Sequence, residues 1–138
     1  MKKKTIQVRT RSRTDLVDIT SQVQDAVSNC DSSSGIVVVF VPHTTAGITI
    51  NENADPDVPR DLAWKINDLI PENEAEYAHA EGNSDSHLKS SLFSPSLTLI
   101  FEDGRCVLGT WQAVYFAEFD GPRTHKVHIK IIPDTGGD

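Results

Sequence analysis

The sequence has only two cysteines, Cys30 and Cys106, and no Cys-x-x-Cys pair. That spacing excludes a zinc ribbon or a dithiol redox centre and leaves two reduced, partly buried thiols as the expectation. No apolar run approaches the roughly 18 residues that a membrane span requires. Met1-Lys2-Lys3-Lys4 has the basic character of a secretory leader, but Thr5 to Arg11 supplies no apolar stretch. No export signal is read there, and a cytoplasmic location is the expectation. Neither glycine-rich phosphate-binding pattern occurs, which argues against nucleotide chemistry on those folds. Basic charge is scarce: 13 Lys and Arg face 20 Asp and Glu, for a net charge of −7. Nucleic-acid binders use a basic face to displace counterions from phosphates, so neither nucleic acid nor membrane is an expected partner. Arg9, Arg11 and Arg13 read as part of a solvated terminal strand. Repeats, low-complexity tracts and linkers are also missing, and one domain over residues 1–138 is expected.

What is present is a set of short strands and fewer helices, with hairpin-joined strands at the end. Thr5 to Arg13 suits an amphipathic edge strand. Asp18-Ile19-Thr20-Ser21 starts a helix with Ile19, Val23, Ala26 and Val27 on one face, ending within Asn29 to Gly35. Ile36-Val37-Val38-Val39-Phe40-Val41 is short, β-branched and apolar throughout, which predicts a strand buried on both faces. Pro42 ends it, His43 to Gly47 follow at its mouth, and Ile48 to Glu52 form a second strand. Asp55-Pro56-Asp57 opens a helix whose apolar positions are Val58, Leu62, Ile66, Leu69 and Ile70. Asp55 and Asp57 are read as its capping acids. Residues 71–86 form a long acidic loop, and a short helix over 86–93 should turn Leu88 and Leu92 inward. Leu97 to Phe101 and Cys106 to Leu108 flank Asp103-Gly104, a strong hairpin signal. Trp111 to Phe119 and Val127 to Ile132 complete the set. The fold class is α+β, a largely antiparallel β-sheet with two to three helices.

The histidines carry the candidate chemistry. On the last strand Val127, Ile129 and Ile131 take the inward face, so His128 points outward, and His125 is also assigned to the surface. His43 sits at the end of a buried strand, where a side chain reaches a cleft. His79 and His87 bracket a loop in which Gly82 permits a fold back. Three neutral imidazoles near 2.0–2.2 Å leave a zinc-type ion an open position for water or substrate. Glu81 and Asp85 are suited to orienting the rings. The competing reading is a set of hydrogen-bonded histidines in a polar pocket. Glu52, at a strand end, suits a general base or acid. Arg60, Lys89 and Arg123 are candidate anion binders, Asp120 to Arg123 read first as a turn, and Trp111 reads as a core aromatic.

Pro42 to Val58, His79 to His87, Leu108-Gly109-Thr110-Trp111-Gln112 and Glu118 to Arg123 together resemble the signature blocks of the YjbQ family. The resemblance covers nearly the whole chain, in order, with no departure at a motif position. It implies a small α+β domain that assembles as a homotrimer and carries a histidine cluster. His43, His79 and His87 would be the metal ligands. Glu52, Asn83, Asp85, Trp111, Gln112, Glu118, Asp120 and Arg123 would line the pocket, with Lys89 added as a substrate-binding candidate. Glu52, Asp85 and Arg123 are the implied catalytic set. The family is named for a secondary thiamine-phosphate synthase activity, joining hydroxymethylpyrimidine diphosphate to a thiazole phosphate with loss of pyrophosphate. Diphosphate chemistry calls for magnesium held by carboxylates and for cations on the phosphates. A three-histidine site suits zinc instead. Two alternatives therefore accompany the transferase: a metal-assisted hydrolase of a small anionic substrate, with Glu52 or Asp85 as base, and a non-catalytic trimer that binds a ligand or metal.

Overall fold

The computed structural model describes residues 3–135; Met1, Lys2 and the tail 136–138 lie outside the described residues. The strands are β1 (Lys3–Arg9), β2 (Asp15–Asp18), β3 (Gly35–Phe40), β4 (Ala46–Glu52), β5 (Ser96–Glu102), β6 (Arg105–Cys106), β7 (Gln112–Glu118) and β8 (Thr124–Pro133). The helices are α1 (Thr20–Ser28), α2 (Asp57–Leu69) and α3 (Ser84–Leu92). The strands form two antiparallel sheets, ordered β1-β8-β3-β5-β6 and β2-β7-β4. This is the expected α+β class with a largely antiparallel sheet. Among the described residues no helix is long and apolar enough to cross a membrane.

The core lies between the sheets and under α1. Val37 and Val39 of β3, Leu99 and Phe101 of β5, and Val127, Ile129 and Ile131 of β8 meet Val23, Ala26 and Val27 of α1. Ile48 of β4 and Val114 and Phe116 of β7 join the same cluster from the second sheet. The expectation that β3 is buried on both faces is corrected: Ile36 and Phe40 are exposed, and only the alternate residues are covered. The doubly buried strand is β7, where every residue from Ala113 to Glu118 is covered. Both strands are central in their sheets; α2 and α3 pack against the sheet of β7, while β3 shows its outer face to solvent. The first strand is also shorter than expected. It stops at Arg9, and a turn closed by the Arg11 N–H on Asp15 Oδ2 (2.9 Å) leads into β2.

Two helices differ from their apolar patterns. None of the apolar residues of α2 is fully buried, and Leu69 is exposed. In α3, Leu88 and Leu92 face solvent, with Leu92 69% exposed, while Asp85, Ser86, Lys89 and Ser90 are buried. The reason is local bonding. The Ser86 hydroxyl donates to the Phe119 carbonyl, and the Ser90 hydroxyl donates to the Thr44 carbonyl (2.7 Å). The helix is therefore seated by its polar face. At the β5–β6 turn, Asp103 (φ 52°) and Gly104 (φ 73°) adopt the left-handed conformations that an Asp-Gly hairpin turn uses.

Candidate functional site

β3 positions His43 through a break in its ladder. Pairing with β8 runs as far as Phe40 opposite His128. Two residues on, the register places Pro42 opposite Lys126, and proline has no N–H to give. The ladder ends there, and the His43 ring takes over: Nε2 lies 3.0 Å from both the Lys126 N and the Lys126 O. Nε2 accepts from the N–H in one tautomer and donates to the carbonyl in the other. Burial, and then the neighbouring His125, hold the His43 pKa below the usual histidine value. The two rings stand 4.3 Å apart, centroid to centroid.

His125 corrects the sequence reading. The strand pattern places it at the surface, yet it is only 4% exposed. The inward alternation of Val127, Ile129 and Ile131 simply continues back by one step, a signal that was available in the sequence. Its Nε2 lies 2.8 Å from Glu118 Oε1, and Glu118 is fully buried. The Thr10 hydroxyl donates to the same Oε1 at 2.8 Å, and the Asp120 N–H reaches Oε2 at 3.3 Å. Burial pushes the Glu118 pKa up, but the His125 and Thr10 hydrogen bonds, the His125 charge and the Asp120 N–H outweigh it and set it below the usual value. Glu118 is thus a carboxylate, and an acceptor only.

A second charged group lies under α3. Asp85 Oδ2 accepts from Lys89 Nζ at 2.6 Å, and Asp85 Oδ1 accepts from Arg13 Nη2 at 2.9 Å. Lys89 also donates to Asn67 (2.8 Å). Asp120 ties the two groups together through Arg13 Nη1 (3.3 Å), Arg123 Nη2 (3.0 Å) and Asn83 Nδ2 (2.9 Å). Thus Asn83, Asp85, Lys89, Glu118, Asp120 and Arg123, six of the residues singled out from sequence, share one connected set of bonds. Arg13, Thr10 and Asn67 belong to it and were missed. Asp85 was expected to orient a histidine; here it holds cations. Asn83 stands at the N-cap of α3 without a side-chain cap bond, and its Oδ1 is buried and unpartnered. Among the described residues it is the only buried side-chain N or O atom without a partner.

His79 and His87 meet as expected across the loop, where Gly82 takes a positive φ of 75°. Their ring centroids are 5.2 Å apart, edge to face. Two imidazoles sharing one tetrahedral ion, with Zn–N near 2.0–2.1 Å and the ring centre about 1.1 Å beyond, would stand about 5 Å apart. The spacing matches two positions on one zinc-type ion, and it equally matches an ordinary edge-to-face ring pair. Glu81, the other residue expected to orient a ring, lies 3.7 Å from His79 Nε2. His43 stays with His125, and among the described residues no three His, Cys, Asp or Glu side chains are gathered to hold an ion. Ser90, which is bonded to the Thr44 carbonyl, also donates to the His87 carbonyl (3.0 Å). That contact sets α3 and its histidine beside the mouth where His43 lies.

The remaining candidates lie elsewhere. Glu52 pairs with Gln112 at one end of the β4–β7 ladder, and Ala46 pairs with Glu118 at the other. Six strand steps separate the ends, about 20 Å. Gln112 Oε1 accepts from the Gly109 N–H (2.8 Å), a local turn bond. Trp111, expected in the core, is 61% exposed. Arg60 is exposed and makes one long contact with Asp57. The Asp55 carboxylate accepts from the Asp57 N–H (2.9 Å) just before α2, as the capping reading expects of it, whereas Pro56 is the N-cap and Asp57 only stands in the first turn. Cys30 and Cys106 are free and half-buried, and burial pushes the Cys106 thiol up. A cavity of about 330 Å³ borders His79, Tyr77, Glu72 and Ser84. A larger cavity, about 760 Å³, lies between Cys30 and Ile131 and is lined by no histidine.

Fold and site together define a small α+β protein with two histidine pairs, His43–His125 and His79–His87, and a buried cluster of carboxylates and cations. The family profile described as UPF0047 protein YjbQ-like matches residues 4–134, and the chain belongs to that family. It is 53% identical over 128 residues to UPF0047 protein MJ1081 of Methanocaldococcus jannaschii, covering 93% of this chain and 92% of that one. It is 46% identical over 129 residues to UPF0047 protein YugU of Bacillus subtilis, covering 94% and 98%. A crystal structure of a YjbQ/UPF0047 family protein from Clostridium acetobutylicum superposes with a TM-score of 0.90 at 50% identity, covering 93% of this chain and 98% of that one.

Proposed function

We propose that this protein is a metal-dependent enzyme acting on a small anionic substrate, with His79 and His87 holding a zinc-type ion. The supporting observation is the 5.2 Å spacing of the two rings, which suits two nitrogens on one tetrahedral ion. Imidazole donors favour zinc over magnesium, which prefers oxygen. Such an ion supplies Lewis-acid polarisation of a substrate oxygen and acidifies water. His43 is the third donor that the family resemblance implies. With its Nε2 proton given to the Lys126 carbonyl (3.0 Å), its Nδ1 lone pair is left free.

The charges favour hydrolysis over the thiamine-phosphate synthase-like transfer. A diphosphate needs uncommitted cations. Lys89 and Arg13 are engaged by Asp85 and Asp120, and Arg123 by Asp120. The test is a thermal-unfolding series with added zinc. Wild type should gain several degrees, and His87→Ala should lose that gain, with affinity falling more than about 100-fold, beyond the loss typical of a removed orienting partner. Equal zinc responses in the two would sink the metal reading. Pyrophosphate release that depends on a thiazole phosphate acceptor would instead restore the transferase.

Self-association of the kind the resemblance implies, a homotrimer, has support from an apolar row on the outer face of the larger sheet. Ile36 is paired with Ile100 on one side and Ile132 on the other, and all three are exposed, with Phe40 further along the same strand. Contiguous apolar surface of this kind marks interfaces. Light scattering at micromolar concentration should give three times the 15.2 kDa chain mass; a monomer mass would refute it.

A further inference from the structure

Three cations and three carboxylates are paired around Arg13. Lys89 meets Asp85, Arg123 meets Asp120, and Arg13 lies against Asp85, Asp120 and Glu72. Glu118 stands apart from these pairs, since its oxygens are met by Thr10, His125 and the Asp120 N–H. We infer that Glu72 is a displaceable internal counter-ion, and that one oxyanion of the substrate, a carboxylate or a phosphate, takes its place against Arg13 in the cavity that Lys89 borders. The inference rests on the reading of the substrate as a small anion, but not on the metal.

The three carboxylates on Arg13 differ in how firmly they are held. Asp85 is fully buried and lies 2.9 Å from Nη2, and Asp120 is 15% exposed and lies 3.3 Å from Nη1. Each has further partners: Lys89 for Asp85, and Arg123 and Asn83 for Asp120. Glu72 is different. Its side chain is 51% exposed, it stands 3.5 Å from Nε, and Arg13 is its one ion-pair partner among the described residues. An exposed pair of that length contributes little to stability, so an incoming anion displaces it at little cost. The other two carboxylates hold Nη1 and Nη2, which fixes the guanidinium and leaves Nε–H as the donor for a ligand.

There is room for a ligand at that place. A cavity of about 520 Å³, within the size range of small-molecule sites, has Arg13, Asn67, Pro71, Glu72, Asp85 and Lys89 in its lining. Glu72 also borders the cavity of about 330 Å³ that reaches His79. It is a wall common to both, so its withdrawal opens the one toward the other. Charge then selects the class of ligand. With Glu72 withdrawn, the paired group holds three cations and two carboxylates, and one anion restores the balance. The attraction is stronger here than in bulk water, because Asp85 and Lys89 are buried and the effective dielectric is lower. A neutral or cationic group gains no such attraction, and a diphosphate brings more charge than one carboxylate's place matches.

Titration of the metal-free protein with inorganic phosphate and with acetate tests this, at low ionic strength where screening is weak. The Arg13 Nε–H resonance in ¹⁵N NMR reports the contact and should shift as either anion binds. Glu72→Gln removes the competing charge and should tighten binding about fivefold, the equivalent of the upper worth of an exposed ion pair. Glu74→Gln makes the same change in net charge two residues along the loop, and its affinities should stay within about twofold of wild type. Both positions are exposed, so both variants should fold as wild type does. Tighter binding of phosphate assigns a phosphate group to the substrate, and tighter binding of acetate assigns a carboxylate. Equal tightening in the two variants would reduce the effect to overall charge and overturn the proposal. So would an unchanged affinity in Glu72→Gln, or an Arg13 resonance that neither anion moves. Failure of zinc binding at His79 and His87 would leave these titrations unmoved, so the two readings fail separately.

Discussion

Asp85→Ala is expected to lower stability by about 3–5 kcal/mol, the usual result of removing one partner from a buried ion pair. Asp85 is fully buried, and Lys89 is 2% exposed. The carboxylate serves Lys89 on one oxygen and Arg13 on the other. Without it the Lys89 ammonium, almost wholly buried, keeps only the Asn67 carbonyl oxygen, 2.8 Å away. Arg13 is less affected, since Asp120 and Glu72 remain within 3.3 and 3.5 Å. Asp85 to Arg13 and Lys89 to Asn67 are also contacts that tie this buried face of α3 to the rest of the fold, and the leucines of α3 face solvent. Urea unfolding with an unchanged m-value measures the loss. A double replacement, Asp85→Leu with Lys89→Met, should recover much of it, because a buried pair is often no more stable than apolar side chains of similar size. Asp57→Ala is the control. Its contact with Arg60 is 3.8 Å long and exposed on both sides, and its removal should stay within about 0.5 kcal/mol. A loss below about 1 kcal/mol for Asp85→Ala would mean that the buried carboxylate does not anchor α3.

The fold was legible wherever apolar spacing alone dictated the element. The β3 run, the α1 face of Ile19, Val23, Ala26 and Val27, and the Asp103-Gly104 hairpin all form where their residues predict. The errors share a cause. Periodicity reads apolar residues, so a helix seated by Asp85, Ser86, Lys89 and Ser90 has its faces inverted. How many faces of a strand are covered depends on what packs against its sheet, which is why β3 is covered on one face and not on both. The site was legible through motif residues and not through spacing. Glu118, Asp120, Asn83 and Asp85 do converge, but Arg13 joins them only by contacts spanning 72 and 107 residues of chain. A terminal arginine among other basic residues looks solvated until the fold closes over it. His125 is a different case. One further step of the strand alternation would have turned it inward, beside a carboxylate that the motif already contained.

Phe116→Ala should cost about 3–5 kcal/mol, the range for truncating a buried aromatic that the surroundings cannot refill. Phe116 is fully buried at the centre of β7, paired with Val17 of β2 on one side and Ile48 of β4 on the other. Its ring enters the cluster shared by the two sheets, so its loss opens a void between layers whose backbones are held by separate ladders. Collapse of one sheet onto the other would require both ladders to shift. The consequence reaches the site, because the same ring closes one side of His125 at 5.3 Å. Packing and orientation should nevertheless separate. The stability should fall while the His125 tautomer stays as Glu118 sets it, since the 2.8 Å bond does not involve Phe116. Leu69→Ala, at an exposed position of α2, should change stability by less than about 0.5 kcal/mol. Denaturant unfolding of the two variants gives the comparison, and imidazole NMR of Phe116→Ala gives the tautomer. A loss below about 1 kcal/mol would show that the sheets do not depend on each other at Phe116. A mixed tautomer would show that the ring, and not the carboxylate, holds His125 in place.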